Sequence, residues 1–206
     1  MLKRTMGLSL LGLLVISGLA GRLTNNSLTK PERKKALTMM KETRADLVEQ
    51  VSGLRLSQYK FRPAGKKKNI QDHIMHIAGT EQRLWDLLEQ GMKKPSSQAS
   101  RSQVEINDED LIKLAEDRSA DGIAYDPFLD IRKKYSGWNA ALEDFKKSRN
   151  QHIRYLRTST EDLRNHIVKL SFGSIDCYQL CLLIAAHSNR HTEDIRQIMN
   201  DTSFPK

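Results

Sequence analysis

The strongest constraint on the fold is a helical pattern of about 25 residues near the C-terminus, from about Ile175 to Met199, with no glycine or proline. At about 100° per residue, a set of apolar and histidine side chains falls within roughly one third of the helix circumference: Leu180, Leu183, Ile184, His187, His191, Ile195 and Ile198. An apolar face of this length has to be buried against other helices. The two histidines are therefore predicted to point into the protein.

Three more stretches of the chain show helical periodicity. The sequence predicts helices over 29–53, where Thr29 can cap the first turn, over 69–91, and from Trp138 to about Leu156. No stretch alternates between apolar and polar residues over enough positions to demand a sheet. Four long helices separated by turns predict an all-α fold, an antiparallel four-helix bundle.

The segment between the second and third helices is polar and rich in serine. It runs from Met92 to Gly137, and one short helix is predicted to start in it near Asn107. Because a segment of this size cannot readily bury a core of its own, we interpret it as a loop-rich insertion rather than a second domain. A further short helix is predicted from Glu161 to Leu170, followed by a turn.

The first 20 residues have the three parts of a secretory signal peptide. Two basic residues precede an uncharged stretch from Thr5 to Ala20, which ends in small residues. The alternative is an uncleaved membrane anchor, but the uncharged stretch is shorter than the roughly 20 residues that span a bilayer comfortably. We therefore predict a signal peptide over 1–20, a linker over 21–28 and the folded domain over 29–206, exported to the periplasm or cell envelope.

Composition narrows the choice of partners. Of 206 residues, 38% are hydrophobic and 29% are charged, a balance typical of one globular domain. The formal net charge is +9, but the basic residues are dispersed apart from the run Lys66–Lys68, which no aromatic platform accompanies. We therefore expect no nucleic-acid partner, and a membrane partner only if the N-terminal segment is retained. Cys177 and Cys181 are interpreted as small core residues, with a redox-active thiol pair as the alternative.

His187 and His191 lie four residues apart, so on a helix they project from the same face. Two stacked neutral imidazoles each bring a lone pair that needs a donor or a cation, and this pair alone is equally compatible with metal binding and with packing. A metal site would need a third ligand from another helix. His73 lies nearer the middle of the second helix's apolar stripe than His76, so periodicity slightly favours His73.

Two more histidines and two acids complete the polar candidates. His152 and His166 have polar sequence neighbours and are predicted to lie at the surface. Glu81 and Asp194 fall on inward helix faces, where a carboxylate is costly unless it is paired. Each acid could orient a histidine, act as a fourth ligand or serve as a general base, and the alternative is a buried salt bridge with an Arg or Lys.

Two segments of the sequence resemble the DinB-like superfamily. They are Ile70–Glu81, with Arg62-Pro63-Ala64-Gly65 before it, and Ala186–Thr192. The likeness extends over about residues 28–206. It implies an up-down-down-up four-helix bundle that binds a divalent metal, often zinc or nickel, through one histidine of the second helix and an H-x-x-x-H pair in the last.

By motif, the resemblance assigns the metal ligands to His76, His187 and His191, with His73 as a neighbour or alternate ligand. It makes zinc the leading metal, with nickel, manganese and iron as alternatives. The family often has an Arg-Gly-Gln run after the final histidine, whereas Thr192-Glu193-Asp194 follows it here. Characterised relatives include thiol-dependent transferases, and relatives are commonly dimers, which implies a homodimer.

These features predict an exported metal-dependent hydrolase of an unidentified small molecule, with Glu81 or Asp194 orienting the site or moving protons. A bound divalent ion lowers the pKa of water enough for attack near neutral pH. The alternatives are a thiol-dependent transferase and a non-catalytic, metal-containing binding protein of the cell envelope.

Overall fold

The computed structural model describes residues 27–96, 98–117 and 135–206. The predicted signal peptide, residues 1–20, and most of the predicted linker lie outside the described residues. The described elements are, in chain order, α1 (Lys30–Val51), α2 (Leu56–Lys60), α3 (Ile70–Met92), a 3₁₀ helix (Gln98–Gln103), α4 (Asp108–Glu116), α5 (Trp138–Thr158), β1 (Ile167–Leu170), β2 (Gly173–Asp176) and α6 (Cys177–Met199). Among these helices, none is long and apolar enough to cross a membrane.

The four long helices form the predicted bundle, in which α1 and α3 each pack against both α5 and α6. The hydroxyl of Tyr178 donates to the carbonyl of Glu32, so α1 and α6 start at the same end. Arg33 donates to the carbonyl of Ser159, so α5 ends where α1 starts. The first residue of α6 contacts Leu88 near the end of α3. The helices therefore run up, down, down, up, as the family resemblance implies.

The starts of the long helices follow from capping residues. Thr29 and Glu32 form a reciprocal capping box at α1, in which the Thr29 amide donates to the Glu32 carboxylate over 2.8 Å. Asn69 caps α3 together with Asp72. Because these side chains satisfy backbone N–H groups that have no partner within the helix, both predicted starts lie within one residue of the observed ones.

The segment predicted as a short helix, Glu161–Leu170, is the main error in the predicted fold. Its second half is strand β1, which pairs with β2 in an antiparallel hairpin. A two-residue turn joins the strands, and Gly173, the first residue of β2, has a φ of 142°, which favours glycine. The β-branched residues of both strands suit a pleated hairpin better than a single helical turn. As a result, α6 begins at Cys177, two residues later than predicted.

The hairpin lies close against the end of α3. A Cβ atom on Gly91 would lie 2.8 Å from Cγ2 of Val168 and 3.0 Å from the sulfur of Cys177. Only glycine allows this approach without displacing its neighbours. Cys177 and Cys181 are buried and form no disulfide, and burial raises the pKa of Cys177 to about 12, so neither residue has the properties of a reactive thiol.

The insertion between α3 and α5 is partly packed on the bundle. Helix α4 lies against α6 and buries Leu111 in the core. Arg164 pairs with Asp108 of α4, with Asp176 at the start of α6 and with Glu32 of α1. Through Arg164, these ion pairs connect helix α4 of the insertion to the starts of α1 and α6. Residues 118–134 of the insertion lie outside the described part of the chain.

A polar layer divides the core into two apolar halves. Each long helix contributes to it through Thr43, Glu81, Arg149 or Ser188, and Arg149 donates to the other three. Along α3, for example, Ile77 belongs to one half and Leu84 to the other, with Glu81 between them. The functional candidates lie in this layer and next to it.

Candidate metal centre

Antiparallel packing of α3 against α6 brings the predicted ligands together. His187 Nε2 lies 3.3 Å from His76 Nε2, and the ring centroid of His191 lies 4.7 Å from that of His76 and 4.6 Å from that of His187. One ligand atom from each residue lies within 4.8 Å of the other two. His187 and His191 are buried and His76 is half-buried. The three side chains are close enough to bind one ion together.

The geometry and the protonation state of these histidines suit a cation. Two nitrogens bound to one tetrahedral zinc ion at about 2.0–2.1 Å lie about 3.3 Å apart, which is the separation between His76 and His187. Burial and repulsion from His187 lower the pKa of His76 to about 2. Burial and neighbouring histidines also lower the pKa of His187 and His191 well below its usual value. All three are therefore neutral near pH 7, as metal ligands must be.

His191 has other neighbours at its second ring nitrogen. Its Nδ1 lies 3.0 Å from Oδ2 of Asp194 and 3.2 Å from Nδ1 of His73. Because an ionised carboxylate only accepts hydrogen bonds, Asp194 favours the tautomer of His191 that carries its proton on Nδ1. Nε2 of His191 is then the nitrogen left for a metal. Ligand atoms of His73, His191 and Asp194 also lie within 4.8 Å of one another, so His73 stays an alternate ligand.

Comparison with known families decides where this bundle belongs. A model of the DinB superfamily matches residues 39–195. The chain belongs to the DinB superfamily. No curated protein and no solved structure matches this DinB protein significantly. Its histidine clusters are able to hold a metal ion.

Glu81 of this DinB bundle takes part in a buried ion pair. Arg149 donates to its two carboxylate oxygens over 2.8 and 2.9 Å, and Nδ1 of His152 lies 2.9 Å from the first of them. Burial alone would raise the pKa of Glu81, but the positive charge of Arg149 keeps it below its usual value. Of the roles considered for Glu81, the structure therefore shows the buried salt bridge, with Arg149 as its partner. Arg149 also donates to Thr43 and Ser188.

The surface position predicted for His152 is wrong. His152 is only 3% exposed and stacks on Trp85, with ring centroids 3.7 Å apart. The prediction failed because its polar sequence neighbours lie on other faces of α5. Arg149 was missed as well, although its place four residues after Phe145 and four before Ile153 puts it on the apolar stripe of that helix.

His166 is also less exposed than predicted. It is partly buried, and its Nδ1 lies 3.1 Å from the carbonyl oxygen of Gly91. This contact joins the loop before β1 to the end of α3. Its position follows from the hairpin, which the helical interpretation of 161–170 did not include.

Proposed function

We propose that this DinB-superfamily protein is a metal-dependent hydrolase in which His76, His187 and His191 bind one divalent ion, with zinc as the leading candidate. The observation that carries the proposal is the convergence of three neutral imidazoles from α3 and α6 within 4.8 Å. Catalytic zinc sites commonly use three protein ligands and leave one position for water or substrate. A bound ion would supply Lewis acidity and lower the pKa of a water nucleophile.

The protein's own residues would orient the ligands and hold a proton. Asp194 fixes the tautomer of His191 through the hydrogen bond at Nδ1. It also lines a cavity of about 260 Å³ together with His73, and we assign its carboxylate the role of general base as well. Glu81 is assigned a structural role instead, because Arg149 and His152 occupy its oxygens.

Export to the periplasm or cell envelope is a further part of the proposal. It rests on the basic residues, uncharged stretch and small residues of segment 1–20. The intact mass of the protein recovered from the envelope fraction tests it. A mass that lacks about the first 20 residues supports export with cleavage, and a full-length cytosolic protein contradicts it.

Metal analysis tests the central claim. The protein is purified without chelator or polyhistidine tag, beside the double variant His187→Ala/His191→Ala and the matched control His166→Ala, which removes a histidine outside the cluster. Plasma mass spectrometry is expected to find close to one equivalent of a divalent metal in the wild type and the control, and almost none in the double variant. No metal in the wild type, even after reconstitution, would contradict the proposal.

Activity separates a hydrolase from a metal-containing binding protein. The metal-loaded wild type is assayed on panels of esters, amides and phosphoesters, with the double variant as the blank. Hydrolysis that depends on the bound metal supports the enzyme. A full equivalent of metal without turnover of any of these bonds would leave a binding protein.

A further inference from the structure

The surroundings of the histidine cluster are positively charged. The positive charges of Lys68 and Arg190 both contribute to lowering the pKa values of His76, His187 and His191. Three neutral imidazoles do not offset the charge of a divalent ion. With a metal bound, the centre would therefore carry a large local excess of positive charge.

Arg190 carries an unsatisfied donor beside this centre. Its Nε is buried and has no hydrogen-bond partner among the described residues. A buried N–H without an acceptor is unfavourable unless a ligand supplies one. Arg190, Asp194 and Gln197 follow one another at helical spacing and share a face of α6. The last two line the cavity, so Arg190 lies one turn from it along the same face.

Three lysines contribute to the lining of the cavity. Lys66, Lys67 and Lys68, from the loop before α3, form this lysine wall, and His73 and Asp194 belong to the lining as well. Both of these residues contact Nδ1 of His191, so the cavity adjoins the metal centre. Three lysines outnumber the two carboxylates of its lining, those of Asp194 and Asp201. The cavity therefore favours an anion.

The same charges argue against a second metal. His73, His191 and Asp194 offer three ligand atoms within 4.8 Å, but a second cation there would face the three lysines and the first ion. Like charges at such short range repel strongly in a partly buried site. The cavity is thus better suited to a substrate group than to an ion of the same sign.

From these observations we infer that the substrate carries a carboxylate or phosphate group, which Arg190 and the Lys66–Lys68 wall bind while the bond to be cleaved lies at the metal centre. The inference rests on the proposed function and specifies its substrate class.

Titration calorimetry on the metal-loaded protein tests this inference. The probes are inorganic phosphate, succinate and, as the uncharged match of succinate, succinamide. The variants are Arg190→Gln and Lys66→Gln/Lys67→Gln. The matched control, Lys34→Gln/Lys41→Gln, removes the same charge from exposed positions on α1. Metal content and far-ultraviolet circular dichroism are measured on every sample, so that loss of metal or of fold is recognised.

We expect phosphate or succinate to bind the wild type, and succinamide not to bind. Arg190→Gln should weaken anion binding about tenfold or more, since a hydrogen bond from a charged donor is lost. The double lysine variant should weaken it about threefold to tenfold, and the control should leave it unchanged. The stronger of the two anion probes identifies which group the site prefers.

Two outcomes overturn the inference, and they are distinguishable. If the wild-type protein binds no metal, both the proposed function and this inference are contradicted. If the metal-loaded wild type binds no anion, or if Arg190→Gln and Lys66→Gln/Lys67→Gln bind it as tightly as the wild type does, the anion inference alone is overturned and the metal-dependent enzyme still stands.

Discussion

Helix α3 carries a buried polar cluster on each of two faces. The two clusters differ in whether their polar groups have complementary partners within the protein. Towards α5, Glu81 has Arg149 and His152 as partners, and its carboxylate is fully used. Towards α6, ring nitrogens of His76 and His187 face each other, and burial together with a neighbouring histidine lowers the pKa of each. A cluster that satisfies itself stabilises the fold, whereas one whose lone pairs face each other suits a cation.

The largest effect is expected from breaking the satisfied cluster. Glu81→Gln leaves the buried charge of Arg149 without a counter-ion, which should lower the free energy of unfolding by about 3–5 kcal/mol. Urea denaturation measures the loss. The control is Glu143→Gln, which removes an exposed carboxylate paired with Lys146 and should cost less than about 1 kcal/mol. Equal losses in the two variants would mean that the buried ion pair stabilises the protein no more than the exposed one does.

The histidine cluster should stabilise the protein only when metal is present. At a free zinc concentration 100 times the dissociation constant, the wild type should gain about 2.7 kcal/mol in free energy of unfolding, because the ion binds the folded state. His187→Ala should show no such gain. Thermal denaturation with and without zinc measures both. If the free energy of unfolding rose as much in the variant as in the wild type, zinc would have to bind outside this cluster.

The hydrogen bond between Asp194 and His191 should affect metal affinity more modestly. Asp194→Asn removes the charge that favours the Nδ1–H tautomer of His191, and losses of this kind weaken metal binding about 10- to 100-fold. Competition with a chromophoric chelator measures the dissociation constant. Asp201→Asn, on the same cavity but without a contact to His191 in the described structure, serves as the control. Unchanged affinity in Asp194→Asn would show that this hydrogen bond does not tune the ligand.

The smallest effect concerns acid. The pKa of Glu81 is lowered from 4.5 in the folded state, mainly by Arg149 acting against burial. The ion pair therefore stabilises the protein above pH 4.5, and this contribution is lost as the pH falls through the folded-state pKa. Between pH 6 and pH 4 the wild type should lose less than about 1 kcal/mol through this group. Urea denaturation across that range should show a shallower dependence in Glu81→Gln, and identical slopes would exclude Glu81 as a source.

The sequence predicted what local chemistry determines. Thr29 and Asn69 predict the starts of α1 and α3, because helix capping depends on a few adjacent residues. The hairpin at 167–176 was missed because four-residue strands give too short a pattern. His152 and Arg149 were not recognised as partners of Glu81, because an ion pair between α3 and α5 depends on how the helices pack.

The histidines show the same difference between what adjacent residues determine and what helix packing determines. Periodicity favoured His73 over His76, and the family motif favoured His76. The structure places both beside the pair on α6: His76 against His187, and His73 against His191. An ideal helical wheel could not separate them, since it describes one helix and leaves out the position of its partner.

The layer formed by Thr43, Glu81, Arg149 and Ser188 also fixes the position of each helix along the axes of its neighbours. A shift of one helix by a single turn, about 5.4 Å, would carry its member of the layer away from the Arg149 guanidinium, which donates to the other three. Apolar packing alone tolerates such slippage more easily. Ser188 immediately follows His187 in the chain, so the contact that sets the height of α6 also sets the height at which its histidines meet α3.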